Sequence, residues 1–212
     1  MEGRPFFGDF ALTPGPPSSW RSGFLFWGFW ETMFEEQTLL GPTTRSIVLQ
    51  THLANDIKNE IALEPDERKL KLCALERSKH PGWTDRKEPC GVYNCVGHVW
   101  ACRRTAVFED LDPQVLRILD DDGYGPLDGP QEPLAHGDIV TYWDSAKSHK
   151  GFWHVGIVFE LRAIAGSQRQ IPWILSKWDS ASGEVLHHWR DCPFANEIEA
   201  EFWTERFGRR RR

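Results

Sequence analysis

The stretch "WHVGIVFEL" (153–161) is the one on which the fold turns. It is rich in β-branched and aromatic residues, holds no Pro and a single Gly, and so reads as a strand. Three similar runs surround it: "GDIVTYWDS" (137–145), "IPWILSKWD" (171–179) and "GEVLHHW" (183–189). Turn residues separate the four. Their spacing of roughly 12 to 18 residues fits an antiparallel meander.

Outward from this block the period changes. Leu49, Leu53, Ile57 and Ile61 recur every four residues, one stripe of a helix. Pro65 opens a second helix through "EPDERKLKLCALERSK" (64–79), with acids in its first turn and bases later, as the helix dipole favours. "HPGWTDRKEPCG" (80–91) reads as loop. A helix is expected over 95–107, with Val96, Val99, Trp100 and Val107 as its apolar stripe. "DPQVLRILDDDGYGPL" (112–127) reads as a short helix ended by a Gly turn, and "NEIEAEFWTERF" (196–207) as a final amphipathic helix. Helices, then a sheet, then one helix make an α+β domain. The expected divisions are an aromatic, Pro-rich leader with little regular structure (1–45), a helical leader packing on the domain (46–80), the domain itself (81–207) and a basic tail (208–212).

The chain has 212 residues, enough for one domain with a sizeable core. Its net charge of −6, from 25 basic and 31 acidic residues, argues against global steering to nucleic acid or to an anionic membrane. The closing "GRRRR" (208–212) reads as a solvated tail. "SGFLFWGFW" (22–30) is the only strongly apolar run, and it falls far short of the roughly 20 residues a membrane-spanning helix needs. No transmembrane segment is expected; the run reads as an aromatic patch that docks on the domain, with a signal peptide or an interfacial anchor as the competing readings. The five cysteines, an odd number at irregular spacing, do not read as a secreted disulfide framework. A reducing compartment, the cytoplasm, is the expectation. Eleven tryptophans point to a core or groove floored by indoles.

"YNCVGHVWAC" (93–102) carries the chemistry. Cys95 falls at the first turn of its predicted helix, where free N–H groups and the dipole favour a thiolate and can hold an oxyanion. His154 opens the strand "HVGIV", and Gly156 lets another backbone or a substrate pass close. A strand-borne His facing a helix-terminal Cys is a Cys/His dyad arrangement. A third residue to orient the imidazole is offered by "ILSKWD": Ser176, Lys177 or Asp179.

A helix beginning "NC", then "GDIVTYW", then "HVGIV", then a strand ending in a polar residue resembles the NlpC/P60 superfamily of papain-like cysteine peptidases and amidases. A closer resemblance is to an uncharacterised bacterial branch with Tyr93-Asn94-Cys95, Trp100-Ala101, His154, Ser176-Lys177-Trp178 and His187. It covers about residues 83–207. The resemblance implies a papain-like domain, a Cys-bearing helix packed on a small antiparallel sheet. It places the nucleophile on Cys95, the base on His154 and the third polar residue on Ser176, where the family more often has His, Asn or Gln. It also puts Asn94 where an acidic residue is usual. Tyr93 is expected near the oxyanion, Trp153 and Trp178 as walls of a substrate groove, and Lys177 on the face opposite Ser176. His187 and His188 point to opposite faces, so that one of them lines the site.

The expected function is therefore a cysteine-dependent hydrolase or transferase acting on an amide or ester bond of a peptide, isopeptide or ester, without a cofactor. Two other readings stay open. One is a catalytically weak or inactive papain-like domain used as a binding module. The other is a zinc-stabilised interaction protein, since Cys95, His98 and Cys102 recur on one helix face and Cys90 lies just upstream.

Overall fold

The computed structural model describes residues 46–61, 64–65, 67–127, 133–144, 151–193 and 198–206. Every described residue belongs to one compact unit, Pro42–Arg212. The expected aromatic leader and basic tail lie outside the described residues.

Seven strands form one antiparallel sheet: β1 (Thr84–Lys87), β2 (Gly125–Leu127), β3 (Ile139–Asp144), β4 (Gly151–Ala163), β5 (Gln170–Ser176), β6 (Glu184–His188) and β7 (Ile198–Thr204). Their order is β1-β6-β5-β4-β3-β7-β2, and every pairing is antiparallel. The expected meander is the run from β3 to β6. Among the described residues three helices accompany the sheet: α1 (Glu67–Ser78), α2 (Cys95–Trp100) and α3 (Leu111–Asp121). The molecule is thus mixed α and β, with few helices.

The two sheet faces bury different partners. Ile139, Trp143 and Val155 pack against Val96 of α2 and Val115, Ile118 and Leu119 of α3. Val140, Tyr142, Val158, Ile174 and Phe202 face the other way, under Trp83, Trp178 and Cys192. Alternate residues of one strand serve the two layers because side chains project with a period of two. Burying each large aliphatic side chain in these layers contributes about 1.5–3 kcal/mol. α3 suits its place: Val115, Ile118 and Leu119 share its buried face, and Gly123 at φ 77° ends the run beyond it.

The structure corrects several expectations from sequence. The four-residue stripe over 49–61 is not a helix. Thr51 and Ala54 close a turn, Gln50 bridges Asp56, and Leu53 is exposed while Ile57 is buried. Polar contacts to α3 decide this: Thr51 Oγ1 donates to Asp121 Oδ2 at 2.6 Å, and the Lys58 N–H to Gln114 Oε1 at 2.6 Å. The second leader helix forms as α1 but buries none of its residues. Arg77 ties its end down by donating to the Asp85 carboxylate and to the His80 and Trp83 carbonyls.

The expected helix over 196–207 is strand β7, between β3 and β2. Ile198 and Phe202, four residues apart, satisfy both periods; what decides is that β3, buried along its whole length, needs backbone partners on both edges. The helix from Cys95 stops at Trp100, not Val107, because Cys102 (φ 49°) and Arg103 (φ 64°) turn the chain back, with the Arg103 N–H donating to the Gly97 carbonyl. "WTDRK", read as loop, supplies edge strand β1. Among the described residues no helix is long and apolar enough to cross a membrane.

Candidate functional site

Asn94 sets the start of α2. Its Oδ1 accepts the Gly97 N–H at 3.1 Å, an N-cap, while its Nδ2 donates to the Val107 carbonyl at 2.6 Å. One amide thus closes the helix and clamps the segment that returns beside it. Gly97 is required by this closeness, since a Cβ there would stand 1.7 Å from the Thr105 carbonyl oxygen. The short helix therefore presents Cys95 from a fixed frame.

Cys95 is 5% exposed and packs with Val96 and Val155. Burial pushes its thiol up to about 12. The backbone N–H groups of Val155, Val96 and Cys95 itself pull the other way, as a helix start should, but desolvation outweighs them. A helix start alone favours the thiolate; the buried surroundings of Cys95 favour the neutral thiol.

His154 is 1% exposed and pairs across the ladder with Tyr142. Its neighbour Val155 joins the layer that holds Cys95, so the His154 ring projects to the opposite, tryptophan-covered face. There it stacks on Trp178, ring centroids 3.9 Å apart. His154 Nε2 is buried without a hydrogen-bond partner, so the thiol does not engage it. Burial, reinforced by His187 and His98, drives the ring pKa well below the usual histidine range and keeps it neutral. The structure thus brings the Cys95 thiol to the residue next to His154 without joining the two in a hydrogen bond.

Ser176 pairs with Gly156 across the β4–β5 ladder, and a Cβ on Gly156 would stand 2.5 Å from Ser176 Oγ. The expected close approach at Gly156 is present. Ser176, however, is hydrogen-bonded to His187 Nε2 at 3.0 Å. His187 Nδ1 lies 2.8 Å from the His188 carbonyl. That carbonyl can only accept, so Nδ1 carries the proton and Nε2 accepts from the serine. Burial lowers the His187 pKa to about 4. Lys177, just beyond β5, is fully buried: its Nζ donates to the Ser180 and Ser182 carbonyls, and burial brings its pKa down to about 8. Asp179 Oδ1 accepts from Ser180 Oγ and the Ala181 N–H, closing its own turn. Of the three residues offered to orient His154, each is committed elsewhere; the stacking partner is Trp178.

Tyr93 is also committed. Its hydroxyl donates to Glu184 Oε1 at 2.6 Å, and Arg103 grips the same carboxylate, with Nη2 3.0 Å from Oε2. Burial works to raise the Glu184 pKa, yet these hydrogen bonds win and hold it at about 2. His98 Nδ1 lies 3.4 Å from Glu184 Oε1, and burial lowers this ring's pKa to about 4. Trp153 is the extra residue where the β3–β4 register shifts, and it packs on the tryptophan-covered face.

Sequence reasoning missed the Glu184–Arg103–His98 group, whose carboxylate and imidazole are buried while Arg103 reaches solvent. Its one available signal was His98 recurring three residues after Cys95. The four-ligand zinc reading also loses its geometry, because Cys102 is exposed and Cys95 buried. Among the described residues no three His, Cys, Asp or Glu side chains are arranged to hold a metal ion. All five cysteines are free thiols.

No protein-family model, curated protein or solved structure matches this chain.

Proposed function

We propose that this is a papain-like, NlpC/P60-type domain acting as a cysteine-dependent hydrolase or transferase on an amide or ester bond. The observation that carries this reading is the seating of Cys95 at the capped start of α2 against the Val155 N–H, one residue along β4 from His154. The thiol attacks the substrate carbonyl as its proton passes to His154, and the bond to the leaving group breaks as His154 returns that proton to it. Water, or another nucleophile, then releases the acyl group from the thioester. First-turn N–H groups of α2 hold the oxyanion. Thiol and imidazole both rest neutral with no hydrogen bond between them, so the proton transfer has to follow a rearrangement of β4 around His154 and Val155. The substrate is a peptide, isopeptide or ester, and the five free thiols support a reducing, cytoplasmic setting.

A second reading, a binding module without catalysis, is favoured by one observation: burial leaves the Cys95 thiol up at about 12. Incubation with p-nitrophenyl esters, followed by peptide mass spectrometry, separates the two. The catalytic reading expects an acyl group on Cys95, absent in Cys95→Ala and strongly slowed in His154→Ala and His154→Gln. Acylation confined to exposed Cys102, or acylation of Cys95 indifferent to both His154 variants, favours the binding module.

A further inference from the structure

At the far end of β4, roughly 20 Å along the strand from the Val155 contact, a groove of about 790 Å³ opens on the tryptophan-covered side of the sheet. Its apolar lining includes Leu134, Leu161, Pro172 and Trp189. Arg169 and Arg190, both exposed, stand at its rim. We propose that this groove binds a small amphipathic organic anion, an acidic head group on an apolar body. The proposal stands apart from the chemistry of Cys95.

Charge carries the argument. The chain is acidic overall, at −6, yet among the described residues no Asp or Glu lines this groove. Two described carboxylates adjacent to lining residues in the chain are engaged elsewhere: Glu160 pairs with Arg162 at 2.9 Å, and Asp191 with His80 at 3.2 Å. Neither Arg169 nor Arg190 forms an ion pair among the described residues. The Arg190 guanidinium rests over the Trp189 indole, 4.5 Å from its centroid. Stacking of this kind leaves the N–H edges of the fork free for a planar acidic group. His188, which also lines the groove, accepts the Arg190 N–H at Nδ1, so the neutral ring keeps Nε2–H as a further donor.

Size and lining set the rest of the ligand. The volume falls in the range of small-molecule sites, roughly 300–1,000 Å³, and is far more than an inorganic anion fills. An aliphatic or aromatic body against Leu161, Pro172 and Trp189 exchanges water for apolar contact. A carboxylate and a phosphate head satisfy the same donors, and the titrations below separate them.

Isothermal titration of the full chain with decanoate, decyl phosphate, decanol and acetate tests the proposal. Saturable binding is expected for decanoate or decyl phosphate, and the tighter of the two names the head group. Decanol and acetate are expected to bind at least about tenfold more weakly, since each lacks one half of the recognition. The doubly substituted Arg169→Glu/Arg190→Glu protein should lose at least about tenfold in affinity. Ile164→Glu, which adds a carboxylate at a 39% exposed lining position, should do likewise without unfolding the chain. Decanol binding as tightly as decanoate, acetate matching it, unaltered affinity in both variants, or no saturable binding of either amphipathic anion would each overturn the proposal.

Discussion

His154 and Trp178 lie face to face, their ring centroids 3.9 Å apart and their planes 19° from parallel. The stack runs on through Trp178 to Trp83 at 5.7 Å and from Trp83 to His80 at 4.1 Å. A column of four rings thus leads from half-buried His80 to the buried imidazole proposed as the base. Stacking holds that ring's plane where a polar partner was expected, and leaves its Nε2 free.

Trp178→Ala should release the ring. Removing the indole rehydrates His154, and since burial is the main cause of its lowered pKa, that pKa should rise. Titration of the imidazole by NMR checks the direction. Truncating so buried an indole should also cost about 3–5 kcal/mol in a denaturant melt. An unchanged His154 titration would show that the surrounding core, not Trp178, sets its environment.

Ser176→Ala should act on stability more than on the His154 ring. It leaves buried His187 Nε2 without its partner at 3.0 Å, a loss of about 1–3 kcal/mol. The His154 titration should not move, because Ser176 is bonded to His187. Were Ser176→Ala to shift His154 as far as Trp178→Ala does, the serine would be the orienting residue after all.

Asn94→Asp tests why an amide stands where an acid is usual in the resembling family. A carboxylate keeps the cap to Gly97 but cannot donate to the Val107 carbonyl 2.6 Å away. Two acceptors would then face each other in a buried place. A loss of roughly 1–3 kcal/mol is expected by chemical denaturation, with Asn94→Ala costing a comparable amount through loss of both bonds.

Acidification should destabilise the fold in a defined window. His98 and His187 have folded pKa values of about 4 against an ordinary 6.5, so the unfolded chain takes up protons that the folded one refuses. Their contribution is fully present above pH 6.5 and is lost as pH falls towards 4. The loss should be on the order of several kcal/mol. Glu184, held at about 2 against 4.5, extends the loss below pH 4.5. Melting temperatures measured from pH 7 to pH 3 check this, and the upper part of the slope should flatten in His187→Gln.

Local patterns along the chain determined much of this protein on their own. The four runs from 137 to 189 became adjacent antiparallel strands, because their β-branched and aromatic content matches a pleated, buried surface. The charge order of α1, the amphipathic stripe of α3 and the start of α2 at Cys95 were likewise local properties. Asn94 before a helix is a capping signal that needs no tertiary context.

Tertiary structure alone decided the rest. "IEAEFWT" fits a helix and a strand equally well, and the open edge of β3 chose the strand. The stripe over 49–61 gave way to hydrogen bonds with α3 from far along the chain. The candidate site shows the same division. Cys95 was legible at a helix start, and His154 as a strand residue, although β4 opens three residues before it, at Gly151. Which sheet face the imidazole takes, and whether a hydrogen bond or an indole holds it, depended on a bulge at Trp153 and on the loop bearing Trp178. Thiol chemistry followed burial for the same reason: a helix start favours a thiolate, but desolvation is set by everything packed around it, and no local stretch of sequence records that.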